Sequence, residues 1–429
     1  MVHQMAKIVG WKVWRDRIKT LESELQSNPL WRSFLLEHHG LEMAFGDVRR
    51  HLKTTNRLPW PPRTAEEYRL YSFLAMVTQV HAKLSPSGQK KLAGALRSGL
   101  EKEFGLGPLA FEMKIVAHLI SRGFSVEFHD LEGNGGYDFL ADIGSTKIEV
   151  ECKHISADIG RKIPRRSLYD LGGVLFPATK KAVDDGNGGR LIHVTLPDRL
   201  TSNKGNQKKI AEHINAILSG KSVPIDNSCR IVSERPFDLD NSPFSSNRGH
   251  NLTMEDVQNY LKRDFGIENA NVLLNWRPGH AAVVIWFQST KPDTVLHNIL
   301  KNLKNDANRQ FSGDRPAFLC VHFADITQEQ LLDLANTEQA GTETGLQRMS
   351  SILLQKRPHL HTVAMMTDGE VKITKESSTE SVRTSIQETG LSYVCQNPDH
   401  PLAESSDLDR VFDKRGICTI THDALLREK

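Results

Sequence analysis

The first hundred residues place their apolar positions at helical intervals rather than in the alternation typical of strands. Apolar residues recur every three or four positions, so that they form a stripe along one face of a helix. Thr64 followed by Glu67 fits a capping box, which predicts a helix from there to about His81. The pattern therefore predicts a helical N-terminal region over residues 1–105. The first stripe consists of Trp11, Trp14, Ile18 and Leu21.

The pattern changes after residue 105. A helix is predicted over Pro108–Arg122, because proline suits a first helical turn and Gly123 suits a helix end. Three short strand-like runs follow, separated by glycines. A helical segment interrupted by glycines and a proline then leads to an apolar strand at Leu191–Leu196. The order helix, three strands, helix, strand predicts a mixed sheet in an α/β domain. The three runs are FSVEFH, YDFLADI and KIEVECK.

A polar stretch near residues 233–251 separates this domain from a second α/β region. A helix is predicted at about 293–310, between apolar strands. The strands are VLLNW, AAVVIWFQ and AFLCVHF. The predicted organisation is a helical region at 1–105, an α/β domain at 106–232 and an accessory α/β domain at 252–429. The pattern leaves open whether the last region is separate or extends the first sheet.

Composition agrees with a water-soluble globular protein. Of 429 residues, 38% are hydrophobic and 25% are charged, and the length predicts two or three domains. No apolar run approaches the roughly 18 residues that span a bilayer, so no membrane association is expected. The charged N-terminus lacks the apolar core of a signal peptide. The five cysteines are scattered without a CxxC pair, which predicts reduced thiols and a cytoplasmic location.

A carboxylate lies among the apolar positions of the helix predicted at Pro108–Arg122. At about 100° per residue, Glu112 falls in the middle of an apolar stripe. A buried carboxylate is costly unless a cation or hydrogen bonds meet it. The alternative is a Glu at the edge of the stripe in a simple salt bridge. The stripe consists of Leu109, Ile115, Val116 and Leu119.

Further polar groups are expected at one end of the neighbouring strands. Asp138 opens the second predicted strand, although a turn aspartate is the common alternative. Glu151 and Lys153 are two residues apart on the third strand and project to the same face. A short turn joins these strands, so they should pair as a hairpin. Glu112, Asp138, Glu151 and Lys153 are therefore expected to converge, and carboxylates with waters suit Mg²⁺ beside substrate phosphate.

These positions resemble the PD-(D/E)xK nuclease superfamily, which has the restriction-endonuclease-like fold. Its core order is αβββαβ, with an acid on the first helix, an Asp opening the second strand and (D/E)xK on the third. Glu112, Asp138 and the run Glu151-Cys152-Lys153 match that motif. The resemblance covers about residues 106–200, and Gly136-Tyr137 stands where the nominal Pro precedes the Asp.

The resemblance implies a role for each of these residues. Asp138 and Glu151 would be ligands of Mg²⁺, for which Mn²⁺ is expected to substitute, and the carbonyl of Cys152 would be a third ligand. Lys153 would be the catalytic lysine, orienting or deprotonating the attacking water or stabilising developing charge. Glu112 would be a metal ligand or an acid supporting the ligands.

Other polar residues near the motif have less specific interpretations. Glu149 shares the face of Glu151 and is interpreted as a partner of a lysine or a rim charge rather than part of a second metal site. His154 is interpreted as a polar residue at a strand end, with substrate contact as the alternative. Bases outnumber acids between Arg161 and Lys209, which is typical of a surface for a polyanion or of a solvated face. The residues expected to contact phosphate are Arg161, Lys162, Arg165 and Arg166.

The resemblance implies a Mg²⁺-dependent endonuclease that hydrolyses phosphodiester bonds of nucleic acid, with DNA favoured over RNA. Restriction, phage defence and repair are the roles it suggests. Symmetric cutting of duplex DNA needs two sites, so a homodimer or other homo-oligomer is expected. Two alternatives stay open: a non-catalytic nucleic-acid-binding or scaffold protein with a nuclease-like fold, and an ordinary buried ion network in an unrelated α/β enzyme.

Overall fold

The chain forms helices and mixed sheets of the α/β class in a computed structural model. Among the described residues, no helix is both long enough and apolar enough to cross a membrane. The structure describes residues 1–27, 32–102, 105–144, 146–156, 158–221, 230–246, 252–268, 271–324, 326, 329–332, 344–355, 357–377, 382–389, 392–403, 405, 408 and 411.

The elements lie as follows along the chain. The helices are α1 (Val2–Val9), α2 (Trp11–Ser27), α3 (Arg32–Thr55), α4 (Ala65–Lys83), α5 (Pro86–Glu101), α6 (Gly107–Ser121), α7 (His129–Glu132), α8 (Arg165–Asp185), α9 (Lys204–Leu218), α10 (Met254–Phe265), α11 (Val295–Arg309) and α12 (Gly345–Gln355). The strands are β1 (Ser125–Glu127), β2 (Phe139–Ile143), β3 (Thr146–Ser156), β4 (Gly188–Leu196), β5 (Arg230–Phe237), β6 (Asn271–Arg277), β7 (Ala281–Ser289), β8 (Ala317–Ala324), β9 (Leu360–Thr367), β10 (Glu370–Ser377), β11 (Val382–Thr389) and β12 (Ser392–Gln396).

The chain divides into two compact units. Unit 1 comprises Met1–Leu21, Leu36–Ala157 and Leu296–Lys429, and unit 2 comprises Glu22–Leu35 and Asp158–Val295. This division differs from the predicted ranges 1–105, 106–232 and 252–429. The reason is that strands from both predicted α/β regions share each of the two larger sheets.

The sheet of unit 1 contains β3 and has the order β1-β2-β3-β8-β9-β12. β1, β2 and β3 pair antiparallel, whereas β3, β8 and β9 run parallel. The prediction that Leu191–Leu196 completes this sheet is wrong, because β8 is the neighbour of β3. Every residue of β8 and β9 is buried, as expected for central parallel strands covered on both faces.

The helix α6 packs on β3 and forms much of the core of unit 1. It agrees within one residue at each end with the prediction, because Pro108 lies in its first turn and Gly123 adopts a left-handed φ of 91° beyond its end. Ile148 and Val150 of β3 lie in the same cluster as Ile115 and Val116 of α6. Alternate residues of β3 therefore anchor the strand in the core.

Unit 2 contains the other large sheet, with the order β5-β4-β7-β6. β4 and β7 are parallel, and β5 and β6 pair antiparallel at the two edges. One face packs under α8 and α9, where Ile192 and Phe287 are fully buried. The other face packs against α10 through Leu191 and Val284. The accessory region predicted at 252–429 thus contributes β6 and β7 here and β8 and β9 to unit 1.

The bounds of α4 agree with the predicted helix within about two residues, but one predicted capping interaction is absent. The side chain of Thr64 accepts a hydrogen bond from the Glu67 backbone N–H and caps α4, as predicted. The Glu67 carboxylate accepts from the Arg63 backbone N–H at 2.7 Å instead of completing the box with Thr64. Ser85 caps α5 in the same way through the Gly88 N–H.

Candidate active site

The β2–β3 hairpin brings Asp138 beside the Glu151-Cys152-Lys153 run. Phe139, the first residue of β2, lies opposite Val150 of β3. Asp138 directly precedes β2, and its Oδ2 accepts a hydrogen bond of 2.6 Å from the backbone N–H of Cys152. The predicted hairpin is confirmed, and this bond fixes one carboxylate against the residue between the other two candidates.

Glu151 is 2% exposed, which makes it one of the buried charged groups of unit 1. Its Oε1 lies 2.7 Å from Nζ of Lys153. Its Oε2 is buried and has no hydrogen-bond partner among the described residues. A buried carboxylate oxygen normally has a partner, because desolvation without one is costly. This oxygen is therefore the strongest local indication that the site takes a further cation or donor.

Burial raises the pKa of three carboxyl groups in this region, and neighbouring carboxylates add to the effect. Burial, and then the charges of Asp138 and Glu151, raise the pKa of Glu112 on α6 well above its usual value. Burial, and then Asp138, raise the pKa of Glu151 to about 8 against the opposing charge of Lys153. Burial raises the pKa of Asp138 to about 6, although the Cys152 N–H and Lys153 oppose it. Lys153 alone thus does not offset the mutual repulsion of these acids.

Lys153 lies between two acids from different elements. Its Nζ is 2.7 Å from Glu151 and 3.9 Å from Oδ2 of Asp306 on α11. Burial favours the neutral amine, but the Glu151 carboxylate outweighs that effect and holds the pKa of Lys153 above its usual value, with Asp306 and Asp138 adding to it. Lys153 is therefore a protonated hydrogen-bond donor at neutral pH.

Sequence reasoning missed Asp306 and Asp130. Asp306 reaches the site because α11 precedes β8, the strand that pairs with β3. Asp130 is on α7, and its charge raises the pKa of both Glu112 and Asp138. The short HDLE helix before the glycine run was the only local signal for Asp130. No local signal pointed to Asp306, because its position depends on which strand neighbours β3.

Cys152 has a structural side chain. It is buried opposite Cys320 of β8 and lies in the same core cluster. Burial, and then its hydrogen bond with Cys320, raise the pKa of the Cys152 thiol well above its usual value, so the thiol stays protonated. The proposed use of its carbonyl as a metal ligand stays a prediction.

The donor chemistry fits a hard divalent cation, although the side chains are not gathered as a finished ligand set. Within the described part of the chain, no three His, Cys, Asp or Glu side chains form a group that could hold a metal ion. A cation would stabilise carboxyl groups whose pKa values are raised by burial and by neighbouring charge, and a Glu151 oxygen that has no hydrogen-bond partner among the described residues. The residues that could hold it are Glu112, Asp138 and Glu151.

Glu149 has a different environment from Glu151, and the sequence analysis also assigned the two residues different roles. It is fully buried rather than a rim charge. Its Oε2 accepts from the Ser312 backbone N–H at 2.8 Å, and its Oε1 accepts from the Ser312 hydroxyl. Its ion-pair partner is Arg315, at 3.5 Å, rather than a lysine. Glu149 therefore secures the segment between α11 and β8.

The four bases expected to contact phosphate lie in unit 2, not in the unit of the candidate acids. The backbone N–H groups of Arg165 and Arg166 donate to the Asp158 carboxylate, at 2.8 and 3.0 Å, at the start of α8. The Arg166 guanidinium pairs with Asp170 at 3.3 Å. Arg161 and Lys162 are half-buried in the connection before this helix. Nucleic-acid contact by these four residues stays a prediction.

His154 contacts another histidine. Its Nδ1 lies 3.0 Å from Nδ1 of His322 on β8, and the ring centroids are 4.9 Å apart. Glu151 and Lys153 project to the opposite face of β3 from His154, because successive residues of a strand alternate.

Comparisons of the chain with protein-family models, with curated proteins and with solved structures found no match. The candidate active site is therefore defined within this chain alone, by the contacts of Asp138, Glu151, Lys153 and Asp306 and by the burial and neighbouring charges that raise the pKa of Glu112.

Proposed function

We propose that this protein is a divalent-metal-dependent endonuclease that hydrolyses phosphodiester bonds of nucleic acid, with DNA as the favoured substrate. The observation that carries the proposal is the buried Oε2 of Glu151, which has no hydrogen-bond partner among the described residues and lies beside carboxyl groups of raised pKa and a protonated lysine. Perturbed carboxylates with a specific charge partner are typical of functional sites.

The order of elements around these residues supports the same proposal. Along unit 1 the order is α6, β1, α7, β2, β3, α11, β8, with β8 parallel to β3. With the short helix α7 set aside and residues 158–295 counted as an insertion between β3 and α11, this order would correspond to the αβββαβ core of the restriction-endonuclease-like fold. The acid, Asp and ExK positions fall on the first helix, the start of the second strand and the third strand.

Each residue has a defined task in the proposed reaction. Asp138, Glu151 and Glu112 would hold Mg²⁺, or Mn²⁺ in its place. When bound, the cation would supply positive charge that offsets phosphate charge and lowers the pKa of a water. Lys153 is protonated, so it would donate hydrogen bonds to the attacked phosphate or the leaving oxygen rather than act as a base. Asp306, at 3.9 Å, would be a second carboxylate that holds the ammonium in place.

The test is cleavage of supercoiled plasmid DNA, and of RNA, by the purified full chain with Mg²⁺, Mn²⁺ or EDTA. A closed circle has no ends, so nicking or linearisation identifies an endonuclease. Asp138→Asn and Lys153→Met should abolish cleavage. Asp142→Asn and Lys147→Met are matched controls on the same hairpin, because this pair forms a peripheral ion pair of 3.7 Å, and they should retain cleavage.

The outcomes separate the proposal from its alternatives. Metal-independent cleavage, or cleavage that survives Asp138→Asn and Lys153→Met, would mean that the site is wrong. Binding of DNA without cleavage under any metal would favour a non-catalytic nucleic-acid-binding or scaffold protein. The proposal also includes a cytoplasmic role in restriction, phage defence or repair, and a homo-oligomeric active form. Both depend on the detection of cleavage.

A further inference from the structure

The exposed face of α11 consists of amides, positive charges and one imidazole. None of its exposed side chains, in a helix that the structure describes in full, is a carboxylate. The single acid of α11, Asp306, is half-buried and lies 3.9 Å from Lys153. The exposed residues are His297, Lys301, Asn302, Asn305, Asn308 and Arg309.

This composition differs from that of an ordinary solvated helix. Exposed helical faces usually mix acids with bases, as α2 does with Arg15 and Asp16. Asparagine is among the poorer helix formers, because its side chain competes for backbone hydrogen bonds, yet α11 has four asparagines in 15 residues. Residues that break a local rule are expected mainly at functional sites, so this face is a candidate binding surface.

Two contacts join α11 to the candidate active site. Oδ2 of Asp306 lies 3.9 Å from Nζ of Lys153. At the other contact, a Cβ added to Gly136 would lie 3.0 Å from the carbonyl oxygen of Gln310, so the segment just before Asp138 packs directly against the end of α11. The helix is therefore held against both Lys153 and the segment that carries Asp138.

Part of the exposed face lies on the same side of α11 as Asp306. At about 100° per residue, two amides and one cation share a sector of roughly 100° with this acid. The polar face therefore begins at the contact with Lys153 and extends over the exposed surface of unit 1. The residues of this sector are Asn302, Asn305 and Arg309.

Duplex DNA is the partner that this chemistry fits. Lysine and arginine bind phosphates, asparagine binds phosphates and base edges, and a face without carboxylates does not repel a polyanion. Single strands are bound largely by stacking on aromatic rings, whereas α11 contains no Phe, Tyr or Trp. A helix of 15 residues is about 22 Å long and has the width that the major groove admits.

We propose that the exposed face of α11 is a surface with which this protein contacts duplex DNA beside the candidate active site. Lys301 and Arg309 bind phosphates, and the amides of Asn302 and Asn305 form hydrogen bonds at the groove edge. This inference rests on the proposed function, because it takes DNA as the substrate, and it adds the element that holds the duplex.

The experiment measures binding of the full chain to a fluorescently labelled duplex by anisotropy, in EDTA and between about 50 and 200 mM salt. Wild type should bind saturably, with a Kd of about 10⁻⁵ M or below at the lower salt concentration. The double variant Lys301→Gln/Arg309→Gln should raise that Kd at least about tenfold and should reduce the slope of log Kd against log salt by about 2.

A matched control removes the same charge elsewhere in unit 1. Lys12 and Lys19 are exposed lysines on α2. The double variant Lys12→Gln/Lys19→Gln should leave the Kd within about twofold of wild type and should leave the salt slope unchanged.

The double variant Asn302→Ala/Asn305→Ala separates DNA binding from folding. Alanine is the better helix former, so the melting temperature should stay equal or rise. The loss of the amide hydrogen bonds should nevertheless weaken duplex binding at least about fivefold. A purely structural role of these asparagines would lower the melting temperature instead.

The outcomes distinguish this inference from the proposed function. Unchanged affinity in either α11 double variant, or an equal loss in the α2 control, would overturn the inference even if the chain cleaves DNA. Binding that depends on α11 in a chain that cleaves nothing would support the inference and refute the proposed function. A wild-type chain that binds no duplex, or binds single strands more tightly than the duplex, would overturn the inference as well.

Discussion

Replacing Glu151 by Gln should stabilise the protein at alkaline pH. The carboxyl is 2% exposed, and its pKa rises from an ordinary value of 4.5 to about 8 on folding, chiefly because of burial and the charge of Asp138. At about 1.4 kcal/mol per pH unit, this shift destabilises the folded state by about 5 kcal/mol above pH 8, where the folded carboxyl is ionised, and by about 3 kcal/mol at neutral pH, where the folded carboxyl is mostly protonated but the unfolded one is ionised. A neutral glutamine avoids that penalty.

The sign of the pH dependence follows from linkage. Below pH 4.5 the Glu151 carboxyl is protonated in both the folded and the unfolded chain, so it causes no loss of stability. Between 4.5 and about 8 the unfolded chain ionises first, and the folded state loses relative stability as the pH rises. Relaxation and the Lys153 contact reduce the full penalty, so Glu151→Gln should gain about 1–5 kcal/mol near pH 9 and less than about 1 kcal/mol near pH 5.

The assay is thermal and urea unfolding at both pH values, with Mg²⁺ or EDTA. Mg²⁺ at about 100 times its Kd should stabilise wild type by about 2.7 kcal/mol, and Glu151→Gln should lose that effect. Glu149→Gln is the matched control two residues away. It should destabilise by about 1–3 kcal/mol regardless of Mg²⁺, because both Glu149 oxygens accept from Ser312. A Glu151→Gln variant no more stable than wild type near pH 9 would refute this reasoning.

Three further outcomes follow from the same contacts. Lys153→Met should lower the rate of metal-dependent plasmid cleavage by about 10²–10³-fold. The control Lys147→Met changes a side chain that is 52% exposed and should leave the rate within about twofold of wild type. An equal loss of rate in both variants would contradict a role specific to Lys153. Asp306→Asn should lower the cleavage rate by less than about fivefold, because a partly exposed ion pair at 3.9 Å contributes at most about 1 kcal/mol. A complete loss of cleavage in the same assay would place Asp306 among the essential groups. Ser72→Ala should leave the free energy of urea unfolding unchanged or raise it by about 1 kcal/mol, since the Ser72 hydroxyl is buried without a partner among the described residues. Ser87→Ala is an exposed control on α5. A larger drop in the free energy of unfolding for Ser72→Ala than for Ser87→Ala would show that the Ser72 hydroxyl already has a partner.

The local parts of the candidate site could be predicted from the sequence, because their signals lie within a few residues of each other. The β2–β3 hairpin is marked by alternation and a glycine turn, and α6 is marked by Pro108 and Gly123. These two signals were enough to place Asp138 beside the residues of β3. Glu112, by contrast, is half-buried and is not among the buried residues of α6, although desolvation, and then the charges of Asp138 and Glu151, raise its pKa.

The long-range parts could not be predicted, because several apolar strands compete for the open edge of β3. Leu191–Leu196 and Ala317–Ala324 are both short apolar runs that follow helices, and periodicity does not rank them. The structure pairs the second with β3, which also brings Asp306 to Lys153. The same choice explains the buried Glu149, whose partner Ser312 lies just before β8.

The connectivity also explains how a chain can carry unit 2 without separating the candidate residues. Asp138 and Glu151 belong to one hairpin that closes at Gly144, where φ is 62°, so the β2–β3 ladder sets their distance independently of unit 2. A parallel pair such as β3 and β8 needs a crossover of at least about a dozen residues in any case. Lengthening that crossover costs little loop entropy, and its final helix, α11, still has to return along the sheet. The crossover between β3 and α11 contains Asp158–Val295 of unit 2, and Asp138, Glu151, Lys153 and Asp306 keep their contacts on either side of it.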